Sequence, residues 1–112
     1  MELTVIEQSD ELTHVALAGQ LDFQGVQEIE DTFYMNTTSR KKPVIVDMAE
    51  VNFIGSLGIG MLVRVSQSMR PLDMKLVMMN TTGLVDETLR LANIDKLIPI
   101  VSTREEALDL LR

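Results

Sequence analysis

The chain has no cysteine and no tryptophan, a single histidine, and only three phenylalanines and one tyrosine. Without cysteine there are no disulfides and no thiolate zinc site, which fits a reducing compartment. With His14 alone, a histidine-built metal centre is disfavoured, and any Ser-His-Asp triad would have to use that one ring. Its polar neighbours suggest an exposed or edge position. No apolar run approaches the roughly 18 residues that span a bilayer, and Met1-Glu2-Leu3-Thr4 lacks the basic and apolar regions of a signal peptide. Basic residues are few, 10 against 17 acidic, for a formal charge of −7. That balance opposes direct nucleic-acid binding, which needs a basic footprint. The one basic cluster, Arg40-Lys41-Lys42, reads as a solvated loop after a helix. These absences together predict a cytoplasmic protein with no membrane insertion.

The 112 residues suit one domain, residues 1–112, and an apolar share of 46% is enough for a genuine core. No linker, repeat or low-complexity tract divides the chain. Leu3–Gln8 and Leu12–Ala18 read as strands joined by a Ser9-Asp10-Glu11 turn, the second alternating Thr13, Val15 and Leu17 with His14, Ala16 and Ala18. Gly19 interrupts the pattern. Asp22 is placed to cap a helix whose Val26, Ile29 and Phe33 share one face, with fraying expected near Asn36-Thr37-Thr38. Pro43–Met48 is a continuous apolar run with β-branched residues, the mark of a central strand covered on both faces.

A second helix is expected from about Ser56, with Gly58, Met61, Leu62, Val65 and Met69 as its inward stripe and Arg70-Pro71 as its end. Met74–Met79 forms another buried strand. Thr81 or Thr82 can cap a helix reaching Ala92, and Lys96–Val101, interrupted by Pro99, suits an edge strand. Thr103-Arg104-Glu105-Glu106 is a capping box that opens a closing helix. The order β-β-α-β-α-β-α-β-α predicts an α/β fold with a mixed sheet of four to five strands and about four helices. Strands separated by single helices pair in parallel, and the first two add an antiparallel edge.

Enzymatic constellations are mostly eliminated. Ile54-Gly55-Ser56-Leu57-Gly58 is not a Gly-x-Ser-x-Gly elbow, and Gly55, Gly58 and Gly60 follow the order G-x-x-G-x-G rather than a dinucleotide fingerprint. Paired carboxylates such as Glu28/Glu30/Asp31 and Glu105/Glu106 fall on solvated helix faces, where nothing raises a pKa for acid–base work. No catalytic residue, cofactor or metal site is therefore expected. The methionines suit either core filling or an adaptable binding surface, and Met61 and Met69 are open between the two. Ser56 survives this screening with two readings. Its hydroxyl can cap the second helix; the same place also suits phosphorylation, because unpaired amides at a positive helix end tolerate a phosphate.

Several of these segments carry a resemblance. Gly19-Gln20-Leu21-Asp22 resembles the Gly-Glu-Leu-Asp signature of STAS-domain proteins. Val44–Met48 followed by Val51-Asn52-Phe53-Ile54-Gly55-Ser56-Leu57-Gly58-Ile59-Gly60 resembles their strand–loop–helix core. Asn80, Leu91-Ala92 and the Ser102–Leu111 close agree as well, so the likeness covers essentially the whole chain. The resemblance implies an anti-sigma factor antagonist: a non-enzymatic regulator that binds an anti-sigma factor with serine kinase activity, is phosphorylated at Ser56, and is restored by a serine phosphatase. Gly55 departs from the family's aspartate and Leu57 from its second serine or threonine. The expected partner surface comprises Gly55, Ser56, Leu57, Gly58 and Met61, with Asp22 and Asn80 at its margin. The alternatives are an unphosphorylated STAS subunit or adaptor of a transporter, lipid-transport complex or signalling scaffold, and a small nucleotide-binding domain. A homodimer is compatible with any of them.

Overall fold

The apolar runs fold as one five-stranded sheet in the computed structural model, which describes residues 1–112. Strand β1 (Glu2–Gln8) runs antiparallel to β2 (Thr13–Leu21), and β3 (Val44–Ile54), β4 (Leu76–Met79) and β5 (Ile100–Val101) follow in parallel, in the spatial order β1-β2-β3-β4-β5. The helices are α1 (Phe23–Asn36), α2 (Ser56–Met69), α3 (Gly83–Leu91) and α4 (Arg104–Leu111). Each parallel step is bridged by one helix, as parallel pairing demands. The α/β class and the antiparallel edge follow the sequence expectation.

Strand alternation divides the apolar residues between two layers. Val15, Leu17, Val44, Val46, Leu76 and Met78 point to one face, where they meet Ile29 and Phe33 of α1, Met61, Leu62 and Val65 of α2, and Val85 and Leu89 of α3. On the opposite face Ile45, Val77 and Met79 meet Ala107 and the partly buried Leu108 and Leu111 of α4, with the partly buried Val101 of β5 beside them. Each fully buried Leu, Met or Phe contributes about 1.5–3 kcal/mol, so the first face dominates stability.

Several local expectations change. Strand β2 does not stop at Gly19 but passes through it, at φ 115°, to Leu21. Strand β3 runs on to Ile54 rather than ending at Met48, by means of two irregularities. Between Ala16/Ala18 of β2 and Asp47/Glu50 of β3, and again between Gly19/Gln20 and Val51/Phe53, β3 holds one extra residue. Each bulge resets the side-chain alternation, so the inward residues run Val44, Val46, Met48, then Val51 and Ile54. The segment predicted as strand Lys96–Val101 keeps only Ile100 and Val101, because Ile94–Lys96 forms a 3-10 turn and Pro99 has no amide to give a ladder. The Pro99 carbonyl still accepts from Met78 N at 2.9 Å.

Polar side chains fix the loops. Thr37 does not fray: it is buried, and its hydroxyl donates to the Phe33 carbonyl at 2.6 Å. Arg40 is not a solvated charge either; it donates to the Ser9 carbonyl at 2.8 Å and to the buried Thr13 hydroxyl, clamping the β1–β2 turn. His14, expected at the surface, is only 6% exposed. The Thr103 hydroxyl caps α4 by accepting from Glu106 N at 3.2 Å, while the Glu106 carboxylate meets that hydroxyl instead of a backbone amide.

Gly25 in α1 marks the closest helix–sheet approach. A Cβ there would stand 1.9 Å from the Gln20 carbonyl oxygen, which is backbone and cannot swing away. Gly25→Ala should therefore lose about 3 kcal/mol of unfolding free energy, read from the urea midpoint.

Candidate functional site

Ser56 stands where the longest strand hands over to α2. The helix starts on an extended Gly55 (φ −110°, ψ −176°), and no side chain caps it. Gly55 is thus the N-cap and Ser56 the first helical residue, which corrects the reading of the Ser56 hydroxyl as the cap. Ser56 is exposed, beside first-turn amides that helix geometry leaves without intrahelical partners. Partial positive charge gathers at such an end and favours an anion.

What holds this turn is the end of β2. The Leu21 carbonyl accepts from Gly55 N at 3.0 Å. Gly58 presses on the same residue: a Cβ at Gly58 would sit 2.7 Å from Leu21 O and 2.8 Å from Leu21 Cβ. Gly58 is buried, so it serves this close approach and does not flatten an outer surface. Asp22, the next residue after Leu21, caps α1 by accepting from Gly25 N at 2.8 Å, as expected. The β2 end therefore brings Asp22 beside Gly55, Ser56 and Leu57.

Besides the buried Gly58, two expected members fall outside this group. Met61 is 2% exposed and packs in the main core with Met69, so the choice between core filling and binding surface is settled inward for both. Asn80 is set back by register. Asp47 pairs with Met79, leaving Asn80 about level with Met48, while the β2–β3 ribbon continues for roughly four more residue steps, about 13 Å. Asn80 adopts a left-handed conformation (φ 63°), a turn that Asn tolerates well. Beyond it the Thr81 hydroxyl donates to Asp86 at 2.7 Å, and this bond foremost, with the Arg90 guanidinium, holds the Asp86 carboxyl below its ordinary range.

Beside the expected Leu57, the structure adds exposed apolar residues that the sequence reading did not select, namely Phe23, Phe53 and Leu84. Phe23 stands at the start of α1 and Leu84 in the first turn of α3. The Phe53 ring lies 3.4 Å from where a Gly55 Cβ would be, so it packs beside the residue that precedes Ser56. Counting by twos from Val51 places Phe53 inside; only the bulge turns it out. The largest depression, about 710 Å³, lies elsewhere, between α1 and α2, with Tyr34, Met35, Met61 and Val65 among its lining residues. No helix is long and apolar enough to cross a membrane.

With this geometry in place, a family model for the STAS domain matches residues 4–107. The chain belongs to the STAS domain family. Solved structures share the architecture. A protein from Thermotoga maritima described as a candidate anti-sigma factor antagonist superposes with a TM-score of 0.87 at 17% identity, over 98% of this chain and 94% of that one. An anti-sigma-factor antagonist domain protein from Planctomyces limnophilus gives 0.80 at 23% identity, over 95% and 94%. The Bacillus cell fate determinant SpoIIAA in its phosphorylated form gives 0.71 at 17% identity, over 99% and 100%. At these identities the likeness establishes the STAS fold.

Nothing obstructs a side chain at Gly55, since its backbone is extended and the nearest atoms are at ordinary contact distance. Gly55→Asp should raise the stability of this STAS domain by a few tenths of a kcal/mol through capping, read by urea unfolding. Leu57→Ala should stay within about 0.5 kcal/mol of the parent, whereas Met61→Ala should cost about 3 kcal/mol. Equal losses for Leu57→Ala and Met61→Ala would overturn this division between surface and core.

Proposed function

We propose that the protein is a non-enzymatic binding regulator of the anti-sigma factor antagonist kind, working in the cytoplasm and switched by phosphorylation at Ser56. The observation that carries this reading is an exposed serine at an uncapped, electropositive helix start, bordered by the exposed Phe53 and Leu57. Membership of the STAS family and a shared fold with SpoIIAA, solved in unphosphorylated and phosphorylated forms, support it. The unmodified surface binds an anti-sigma factor with serine kinase activity and so frees a sigma factor. That kinase passes the γ-phosphoryl group of ATP to Ser56 Oγ, the hydroxyl proton leaves, and ADP departs. A serine phosphatase returns the hydroxyl by hydrolysis, releasing inorganic phosphate.

The physics suits a switch that spares the fold. Phosphate adds nearly two negative charges at a helix end whose amides and dipole accommodate them. An apposed partner, by contrast, must desolvate that charge beside Phe53 and Leu57. A loss of roughly 3 kcal/mol there is about a hundredfold in affinity. Gly55 supports a second reading, a constitutive adaptor of another assembly, because the aspartate of the family pattern is missing beside the serine.

Wild-type, Ser56→Ala and Ser56→Asp forms should be used to capture partners from the source lysate. The proposal expects the first two to retain an ATPase-type kinase and the third to bind it at least about tenfold more weakly. Equal retention by all three would remove Ser56 from the mechanism and favour the adaptor.

A further inference from the structure

The half-covered face of the sheet carries a chain of polar groups that the proposed binding surface does not use. His14 lies on β2, opposite Glu7 of β1 in the ladder, and is almost fully buried. Arg104, the first residue of α4, reaches both: its guanidinium bonds His14 Nδ1 at 2.7 Å and Glu7 Oε1 at 2.6 Å. Asp47 of β3 also faces the ring, and its carboxylate is engaged by Ala49 N at 2.9 Å. These are the charged groups around His14 from β1, β3 and α4.

Arginine is always charged and has no acceptor, so His14 Nδ1 must accept this bond. The ring is then neutral, with its proton on Nε2, a buried atom with no partner. Protonation places a second N–H at Nδ1, pointed at a guanidinium. A hydrogen bond becomes a contact between two cations, one of them on a buried ring and the other on a half-exposed guanidinium.

We propose that this contact is an acid-sensitive latch: uptake of a proton by His14 releases the start of α4 from the β1–β2 edge and uncovers the apolar face formed by Ile45, Val77 and Met79. That face has no helix other than α4 among its packing partners, so release of α4 changes what the molecule presents on the side away from its main helical layer.

Burial above all, and then the Arg104 charge, push the His14 pKa below its ordinary value, while Asp47 and Glu7 pull it up. A basic group whose pKa falls on folding favours the closed state when neutral. The latch is thus at full strength above about pH 6.5, the free-imidazole value, and weakens as pH falls through the lowered pKa of the closed state. Glu7 is held low chiefly by its bond from Arg104, so its own contribution is lost at still more acid pH. Above that range Glu7 stays charged and the sensing group is His14.

Amide hydrogen exchange of residues 107–111, corrected for intrinsic rates, tests this in the full chain. Opening in the wild type should rise by up to tenfold per pH unit between about pH 6.5 and the His14 pKa, then level off. His14→Gln, which can accept from Arg104 but cannot titrate, should remove that rise. An equal rise in both proteins would overturn the proposal. An NMR titration of the His14 ring gives a second reading that does not depend on the folding of His14→Gln. A pKa below 6.5 in the wild type that climbs in Arg104→Leu supports the latch; an unshifted value, or no response to Arg104→Leu, refutes it.

Discussion

The carbonyl of Leu21 receives the Gly55 amide, and the packing of Gly58 against the same residue brings α2 down onto the strand ends. The position of Ser56 depends on this meeting. A backbone oxygen has little freedom to move, and only a residue without Cβ at position 58 comes this close to it. The same strand end supplies Asp22, whose carboxylate starts α1 one residue later. One short stretch of β2 therefore sets the origin of two helices and holds the serine between them. The rigidity behind the site belongs to the sheet, while the exposed Phe23, Phe53 and Leu57 supply apolar contact area on top of it.

Much of this was legible in the residues. Continuous apolar runs gave the central strands, helical spacing gave the inward stripes of α1 and α2, and the order of elements gave the parallel sheet with its antiparallel edge. Asp22 and Thr103 read correctly as caps because capping is local chemistry. What escaped was decided at longer range. Nothing near Arg40 announces Ser9 and Thr13 as its partners, about thirty residues away. His14 was misplaced because its partner Arg104 lies at the other end of the chain. Phe53 was missed because a bulge is a property of two strands and cannot be counted on one. Ser56 was offset by a single residue, since Gly55 can cap without a side chain to advertise it.

The two faces of the sheet differ in kind. One is a deep apolar layer under three helices, filled in part by Met48, Met61, Met69 and Met78, which adapt to irregular gaps. The other is shallow, closed by a helix of eight residues, and relies on charge and hydrogen bonding at one end of that helix. Dispersion and burial vary little with pH, whereas an imidazole–guanidinium contact varies strongly. The domain thus keeps its permanent cohesion and its environmental sensitivity on opposite sides of one sheet.

The two extra residues in β3 make the length of that strand as specific as its composition. They keep Val51 and Ile54 inward over an eleven-residue strand and still deliver the chain to Gly55 facing outward. Deleting one residue at either bulge would exchange the inward and outward sides of the β3 residues that follow it, turning Ile54 out of the core that α2 is built upon.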